Sequence, residues 1–253
     1  MPLEQRRTRH RIADASVRDL DLPPPFRAVR LREVGDAYRH ACRHASDLGA
    51  GTFVFVGRYD LAEFAVVLEP EQLLKSARLA FYAGMVALAD ALAAQAPPEK
   101  PITIDWPDSL RVDRGLIGGG RLSWPDEAHE NAVPDWLVFS ASIRTAFIGE
   151  EPGLHPLASA LGEEGFGDVG SEKLGESFAR HLMVAFDRWQ QDGFGEVAKE
   201  YLAKLKPEKD ATRGIDEAGD LLVRRGGKTE RLVLKDALRR PRWLDPKTGG
   251  PRL

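Results

Sequence analysis

The sequence contains little of what several protein classes require. Its 253 residues include one cysteine, which excludes an internal disulfide and a multi-cysteine metal site. Its 36 lysines and arginines are balanced by 39 aspartates and glutamates, so it lacks the overall basic excess of nucleic-acid-binding proteins. A transmembrane helix needs roughly 20 nearly uncharged residues, and charged side chains interrupt the most apolar stretch, residues 73–94. We therefore expect neither a nucleic-acid partner nor a membrane partner.

Motifs that mark common enzyme classes are also missing. We find no P-loop, no zinc-protease HExxH motif, no nucleophile elbow and no dinucleotide-binding fingerprint. His40 and His44 have the spacing of metal ligands on a helix, but Arg39 and Arg43 add adverse charge, and we predict no metal site. Cys42 is interpreted as a small helix residue; a reactive thiol is the alternative, because its arginine and histidine neighbours favour a thiolate. The arginine-rich start lacks the apolar segment of a signal peptide, so we expect a cytoplasmic protein.

What is present is typical of a globular protein, with 43% hydrophobic and 30% charged residues. The length fits one large domain with a small appendage. We predict a flexible N-terminal arm over residues 1–25, an α+β domain over residues 26–210 and a small β module over residues 211–253. The module is too small to fold comfortably alone, so we expect it to pack on the main domain.

The spacing of apolar residues predicts the main secondary-structure elements. Alternating or β-rich runs predict strands at 26–31, 52–56, 62–68 and 136–147, with further strands within 213–234. Helical spacing predicts helices at 33–48, 171–190 and 194–205, and a long helix that opens at Pro70 and is stopped by Pro97. Ser171 is the predicted N-cap of the second of these. Residues 101–124 are predicted to form strand, turn, strand, glycine-rich bend and strand.

Residues 104–120 (IDWPDSLRVDRGLIGGG) are the most informative segment. Trp106, Pro107 and Asp108 are predicted to form the wall and floor of a pocket, with a core-and-turn role for the Trp-Pro pair as the alternative. Gly118, Gly119 and Gly120 would let a ligand approach the backbone, or would form a bulge that relieves crowding in a strand. Because a short connection joins them, we expect the two groups to be neighbours.

This segment resembles the centre of the biotin–protein ligase and lipoate–protein ligase family. That family has a Lys-Trp-Pro-Asn-Asp-Leu motif, a turn, and a lysine followed closely by a glycine and a strand. Residues 105–110 match the first part, and residues 113–119 match the second in spacing. Residues 213–223 (RGIDEAGDLLV) are similar to the start of the SH3-like module that follows the catalytic domain of many biotin ligases. The resemblance covers roughly residues 26–253.

The resemblance implies an α+β fold in which helices cover a mixed, mostly antiparallel sheet, followed by a C-terminal SH3-like β module. It also implies an enzyme that activates a biotin-like or lipoate-like acid with ATP and Mg²⁺. The acyl group is then passed to a lysine of a biotinyl or lipoyl carrier domain.

The sequence departs from the family where charge is needed. Gly115 stands at the family's lysine position, Ser109 at its second carboxylate and Asp105 at the lysine before tryptophan. The family's arginine-rich loop is reduced to residues 57–60 (GRYD). Because fixed cations stabilise the charge that develops during adenylation, we expect little conventional ligation. Arginines could substitute, or could be solvated surface residues: Arg58, Arg111, Arg114 and Arg144.

Three functional hypotheses follow. The first is a divergent biotin/lipoate–protein ligase. The second is a non-catalytic relative that binds a ligand or a carrier domain or has a regulatory role. The third, cysteine-dependent octanoyl transfer, is disfavoured because Cys42 lies on the first helix. No catalytic residue is assigned, and the candidate ligand-binding residues are Trp106, Pro107, Asp108, Gly118, Gly119, Gly120, Arg58 and Arg144.

Overall fold

The computed structural model describes residues 20–149, 154–167 and 169–253. Most of the predicted N-terminal arm therefore lies outside the described residues. Seven strands form one sheet in the order β1-β2-β3-β7-β6-β5-β4, in which β1 and β2 are parallel and all other neighbours antiparallel. These strands are β1 (Arg27–Leu31), β2 (Thr52–Gly57), β3 (Leu61–Leu68), β4 (Ile102–Asp105), β5 (Ser109–Val112), β6 (Gly115–Ser123) and β7 (Leu137–Arg144). The expected mixed, mostly antiparallel α+β fold is confirmed.

Six helices accompany the sheets in the described part of the chain. They are α1 (Ala37–Leu48), α2 (Leu74–Ala77), α3 (Ala80–Ala93), α4 (Ser171–Asp192), α5 (Phe194–Lys204) and α6 (Leu234–Leu238). Helices α3 and α4 cover one face of the main sheet through a buried aromatic cluster: Phe53, Phe64, Phe139 and Phe178. Helix α1 covers part of the other face with a stripe of buried alanines, because small side chains let it lie close to β2 and β3.

The long helix predicted from Pro70 is wrong at its start and in its continuity. Helix α2 begins at Leu74, where the backbone N–H groups of Leu74 and Lys75 donate to carbonyls of residues 130–132. Helix α2 ends just before Arg78. The buried guanidinium of Arg78 forms two hydrogen bonds with Glu130 at 2.9 and 2.6 Å. Both interruptions depend on contacts with a distant loop. Residues 74–93 are long and apolar enough to cross a membrane, and 83% of their most apolar window is buried inside the protein.

Two further local predictions are corrected. The glycine-rich bend is instead the middle of one continuous strand, β6, in which Ile117 is an extra residue opposite the step from Leu110 to Arg111 of β5; this is a bulge beside the glycines, as in the alternative given above. Gly170, rather than Ser171, is the N-cap residue of α4; the Ser171 hydroxyl faces the Arg58 carbonyl at 3.5 Å.

The small β module is a three-stranded antiparallel sheet made of β8 (Thr212–Ile215), β9 (Leu221–Arg225) and β10 (Lys228–Leu232). It packs on the main domain as expected: Leu221, Val223 and Leu234 belong to the main core. Tyr82 of α3 also donates a hydrogen bond to the Gly219 carbonyl at 2.5 Å. After α6 the chain returns to the main sheet as an irregular segment, residues 239–253, which we call the C-terminal strap.

Candidate functional site

The Trp-Pro pair is part of the packed interior. The Trp106 indole N–H donates to the Tyr82 hydroxyl at 3.3 Å, and the Tyr201 hydroxyl donates to the Pro107 carbonyl at 2.6 Å. Both tyrosines are buried on helices α3 and α5. The pair therefore joins the end of β4 to the helical layer. Trp106 also lines a cavity of about 510 Å³ beside the small β module, so the pocket and the core-and-turn interpretations both remain predictions.

Asp108 anchors the C-terminal strap. Its buried carboxylate accepts hydrogen bonds from the Ser109 hydroxyl at 2.9 Å and from the Arg242 backbone N–H at 3.0 Å. Burial raises the pKa of this carboxyl to about 6, and the two hydrogen bonds oppose that shift.

The three consecutive glycines of β6, residues 118–120, meet different neighbours. Gly118 has φ +147°, and a Cβ there would lie 2.0 Å from the Ser142 carbonyl oxygen. A Cβ at Gly119 would lie 2.4 Å from Cδ1 of Trp243, whose indole N–H donates to the Gly120 carbonyl at 3.1 Å. The Trp-Pro-Asp segment and the glycines are neighbours, since Gly120 N–H donates to the Asp108 carbonyl at 3.0 Å. The strap's Trp243 occupies the space beside Gly119, whereas a Cβ at Gly120 would meet Met85 and Phe139.

The two predicted arginines are already engaged by the protein. Arg58 forms a two-point ion pair with Asp60, at 3.0 and 2.7 Å. Arg144 is buried and donates to the carbonyls of Ser159, Pro251 and Arg252 at 3.1, 2.7 and 3.0 Å. Arg144 thus holds the end of the strap against β7.

Arg58 and Arg144 both line a cavity of about 460 Å³, which we call the sheet cavity. It lies between the start of α1, the β2–β3 hairpin, strands β6 and β7, and the strap. The other six candidate residues do not line it. Its charged lining residues are Asp36, Arg58, Asp60, Glu63, Arg121, Arg144 and Asp245.

The floor of the sheet cavity is formed by polar residues on one face of the sheet. Glu63 of β3 pairs with Ser142 of β7, which in turn pairs with Gly119 of β6, and Arg121 follows two residues later. Paired residues and their i+2 neighbours point to the same face, so Glu63, Ser142 and Arg121 are adjacent. The Ser142 hydroxyl is buried, with 4% of the residue exposed, and has no hydrogen-bond partner among the described residues.

Among the arginines that line the sheet cavity, Arg121 is the one whose terminal guanidinium nitrogens can still donate hydrogen bonds to a ligand. Its Nε donates to the Ser140 hydroxyl at 3.0 Å, and its guanidinium carbon lies 3.3 Å from the centre of the Tyr38 ring. Its two terminal nitrogens have no hydrogen-bond partner in the described ranges. Burial lowers the pKa of this guanidinium, because a low-dielectric site disfavours its charge.

Glu63 presents an acceptor to the same space. Its Oε1 accepts the backbone N–H of Ala37, the first residue of α1, at 2.6 Å. Its Oε2 has no hydrogen-bond partner among residues that the structure describes. Burial raises the pKa of this carboxyl, and the hydrogen bond from Ala37 opposes the shift.

Sequence reasoning missed Arg121, Ser142 and Glu63. The run FSASIR predicts a strand, and its alternation contains the signal: Ser140, Ser142 and Arg144 share one face of β7. Every residue of β7 is buried, so the sequence alone does not separate a polar lining from a packed strand.

Comparison with known proteins assigns the family. A model of the biotin/lipoate A/B protein ligase family matches residues 22–203. This chain belongs to that family. No curated protein sequence matches it.

Solved structures share the fold. A biotin protein ligase-like protein of unknown function from Silicibacter sp. TM1040 is 28% identical, with a TM-score of 0.75; the match covers 86% of this chain and 98% of that one. Biotin protein ligase from Aquifex aeolicus in complex with biotin and ATP is 15% identical, with a TM-score of 0.62 and coverage of 81% and 95%. The Leishmania major enzyme in complex with biotinyl-5-AMP is 16% identical, with a TM-score of 0.53 and coverage of 83% and 99%.

Proposed function

We propose that this family member binds a small carboxylic acid in the sheet cavity and does not activate it as an acyl-adenylate. The observation that carries the proposal is the half-buried guanidinium of Arg121, whose terminal nitrogens have no hydrogen-bond partner among the described residues. A guanidinium fork matches a carboxylate with two parallel hydrogen bonds. A bound carboxylate would offset the cost of holding that charge away from water.

The buried hydroxyl of Ser142, which has no partner in the part of the chain that the structure describes, supports the same site. Burying a hydroxyl without a partner costs about 1–3 kcal/mol. A ligand that bonds to it removes that cost. In the described part of the chain, a donor fork and a buried hydroxyl without protein partners thus lie on one cavity floor, and a single carboxylate has acceptors for both.

The cavity does not fit the polyphosphate of ATP with Mg²⁺. Four carboxylates line it, Asp36, Asp60, Glu63 and Asp245, against three arginines. Two of these arginines, Arg58 and Arg144, are taken by Asp60 and by backbone carbonyls. Adenylation needs fixed, available cations at the developing charge, and of the three arginines of this cavity only Arg121 has terminal nitrogens without a partner among the described residues.

The position at which the family has a lysine, Gly115, also has no room for a side chain. At Gly115 an added Cβ would lie 2.5 Å from the Cβ of Ser159. A Gly115→Lys change would therefore have to move the backbone or Ser159, so restoring one amine is not expected to restore adenylation.

The proposal is tested by two measurements on the full chain. With ATP, Mg²⁺ and biotin, lipoate or octanoate, we expect no pyrophosphate release above the protein-free background. In calorimetric titration with octanoate, we expect Arg121→Gln to weaken binding at least tenfold. Arg114→Gln is the matched control, because the Arg114 side chain is exposed and outside the cavity.

The outcomes separate the two parts of the proposal. Turnover of any of these acids, with acylation of a carrier lysine, would overturn the non-adenylating assignment and favour a divergent ligase. Equal octanoate binding by the wild type and Arg121→Gln would overturn the assignment of the acid site.

A further inference from the structure

The polar floor of the sheet cavity offers more than a carboxylate site. Arg121 presents donors, whereas Glu63 Oε2, which has no partner within the described ranges, presents an acceptor, and the Ser142 hydroxyl can serve either role. Glu63 and Ser142 are direct partners across β3 and β7, so their Cβ atoms lie about 5 Å apart. Donor and acceptor thus stand side by side on one surface.

A simple fatty acid or biotin-like acid satisfies only part of this floor. Its carboxylate would bond to Arg121, but it would place no cation against Glu63. It would also add a negative charge to a lining in which carboxylates already outnumber arginines by four to three. A ligand with an ammonium group beside its carboxylate adds no net charge and supplies donors to both Glu63 and Ser142.

Apolar side chains also line the same cavity. They include Val34 and Ile148, with 95% and 68% of their surface exposed as expected at a cavity rim, and Phe147. An apolar group leaving the floor would pass between them, which removes apolar surface from water.

We propose that the acid bound in the sheet cavity is an α-amino acid with an apolar side chain, an inference that rests on the proposed function. Its carboxylate bonds to the Arg121 fork, its ammonium group bonds to Glu63 Oε2 and the Ser142 hydroxyl, and its side chain extends along Val34 and Ile148.

The experiment compares two ligands that differ by one amine. Octanoate and L-2-aminooctanoate are titrated into the full chain by calorimetry. We expect the amino acid to bind at least tenfold more tightly. In Glu63→Gln that advantage falls at least tenfold, while octanoate affinity stays within threefold of the wild type. Arg121→Gln weakens the binding of both ligands.

A second comparison uses only the wild-type protein, so it does not depend on how a variant folds. N-acetyl-L-2-aminooctanoate has the same chain with its amine blocked, and we expect it to lose the advantage. Equal affinity of octanoate and L-2-aminooctanoate overturns this inference and leaves the acid site standing. Binding of neither ligand overturns the acid site itself.

Discussion

The two faces of the main sheet are closed by different means. On one face, aromatic rings from β2, β3, β7 and α4 pack against one another with centroids 4.8–5.5 Å apart. On the other, α1 and the C-terminal strap cover the two ends and leave the sheet cavity between them. Strand β7 separates the two environments, with Phe139 on the first face and Ser142 on the second. The filled face supplies stability that lets the open face keep unpaired polar groups.

The largest loss of folding stability is expected from a substitution in the aromatic cluster on the filled face. Phe139→Ala removes a ring that packs between Phe178 and Phe81, and we expect a loss of about 4 kcal/mol in the free energy of unfolding. Urea denaturation measures it. Val184→Ala, on the exposed side of α4, is the control and should change stability by less than about 0.5 kcal/mol. Similar losses in both variants would contradict the comparison.

The strap is expected to contribute the next largest effect. Trp243→Ala empties the space over Gly119 and removes the hydrogen bond to the Gly120 carbonyl, and we expect a loss of about 3 kcal/mol. Trp243→Phe keeps most of the ring and should lose less, about 1–2 kcal/mol, through the unpaired carbonyl. If Trp243→Ala unfolds at the same urea concentration as the wild type, the C-terminal strap does not stabilise the sheet face that carries Gly119.

Asp108 makes the strap's anchor sensitive to pH. Its folded pKa of about 6 lies above the unfolded value of about 3.9, so the folded state binds more protons between these values. Its ionised form costs folding free energy above pH 6, and that cost is relieved as the pH falls towards 4. We expect the wild type to gain on the order of 2 kcal/mol relative to Asp108→Asn between pH 7 and pH 4. Parallel pH profiles for the two proteins would show that Asp108 has an ordinary pKa.

The smallest expected change in folding stability comes from replacing either of two serines of β7, and the two replacements should differ in sign. Ser142→Ala removes an unpaired buried hydroxyl, so the free protein should keep its stability or gain up to about 1 kcal/mol. Ser140→Ala removes the acceptor of Arg121 Nε and should lose about 1 kcal/mol. Equal losses in both variants would mean that the Ser142 hydroxyl is satisfied in the free protein.

Much of the fold was predictable because its signals are local. The β2–β3 hairpin, α4 and α5 follow from apolar spacing and from Gly57 and Gly193 at their ends. The break between α2 and α3 could not be predicted from local sequence. It depends on hydrogen bonds to a loop more than 50 residues away, which includes Glu130. The boundaries of the three predicted domains remain predictions.

The candidate site was less predictable than the fold. The Trp-Pro-Asp and glycine motifs indicated the family and were correctly expected to be neighbours. Two of the contacts that position them, however, are made by Trp243 and Arg242, which lie more than 120 residues further along the chain. Arg121 follows directly after Gly120, but only the pairing of β6 with β7 brings it next to Ser142. The roles of the eight candidate residues as ligand contacts stay predictions.

A crystal structure of the full chain grown with octanoate tests the central claim most directly, because it locates the carboxylate. We expect the carboxylate oxygens within hydrogen-bond distance of the terminal nitrogens of Arg121, with one of them or a bridging water bonded to the Ser142 hydroxyl. A carboxylate bound at the cavity mouth, away from Arg121, would contradict the account. So would a sheet cavity that holds only water at saturating octanoate.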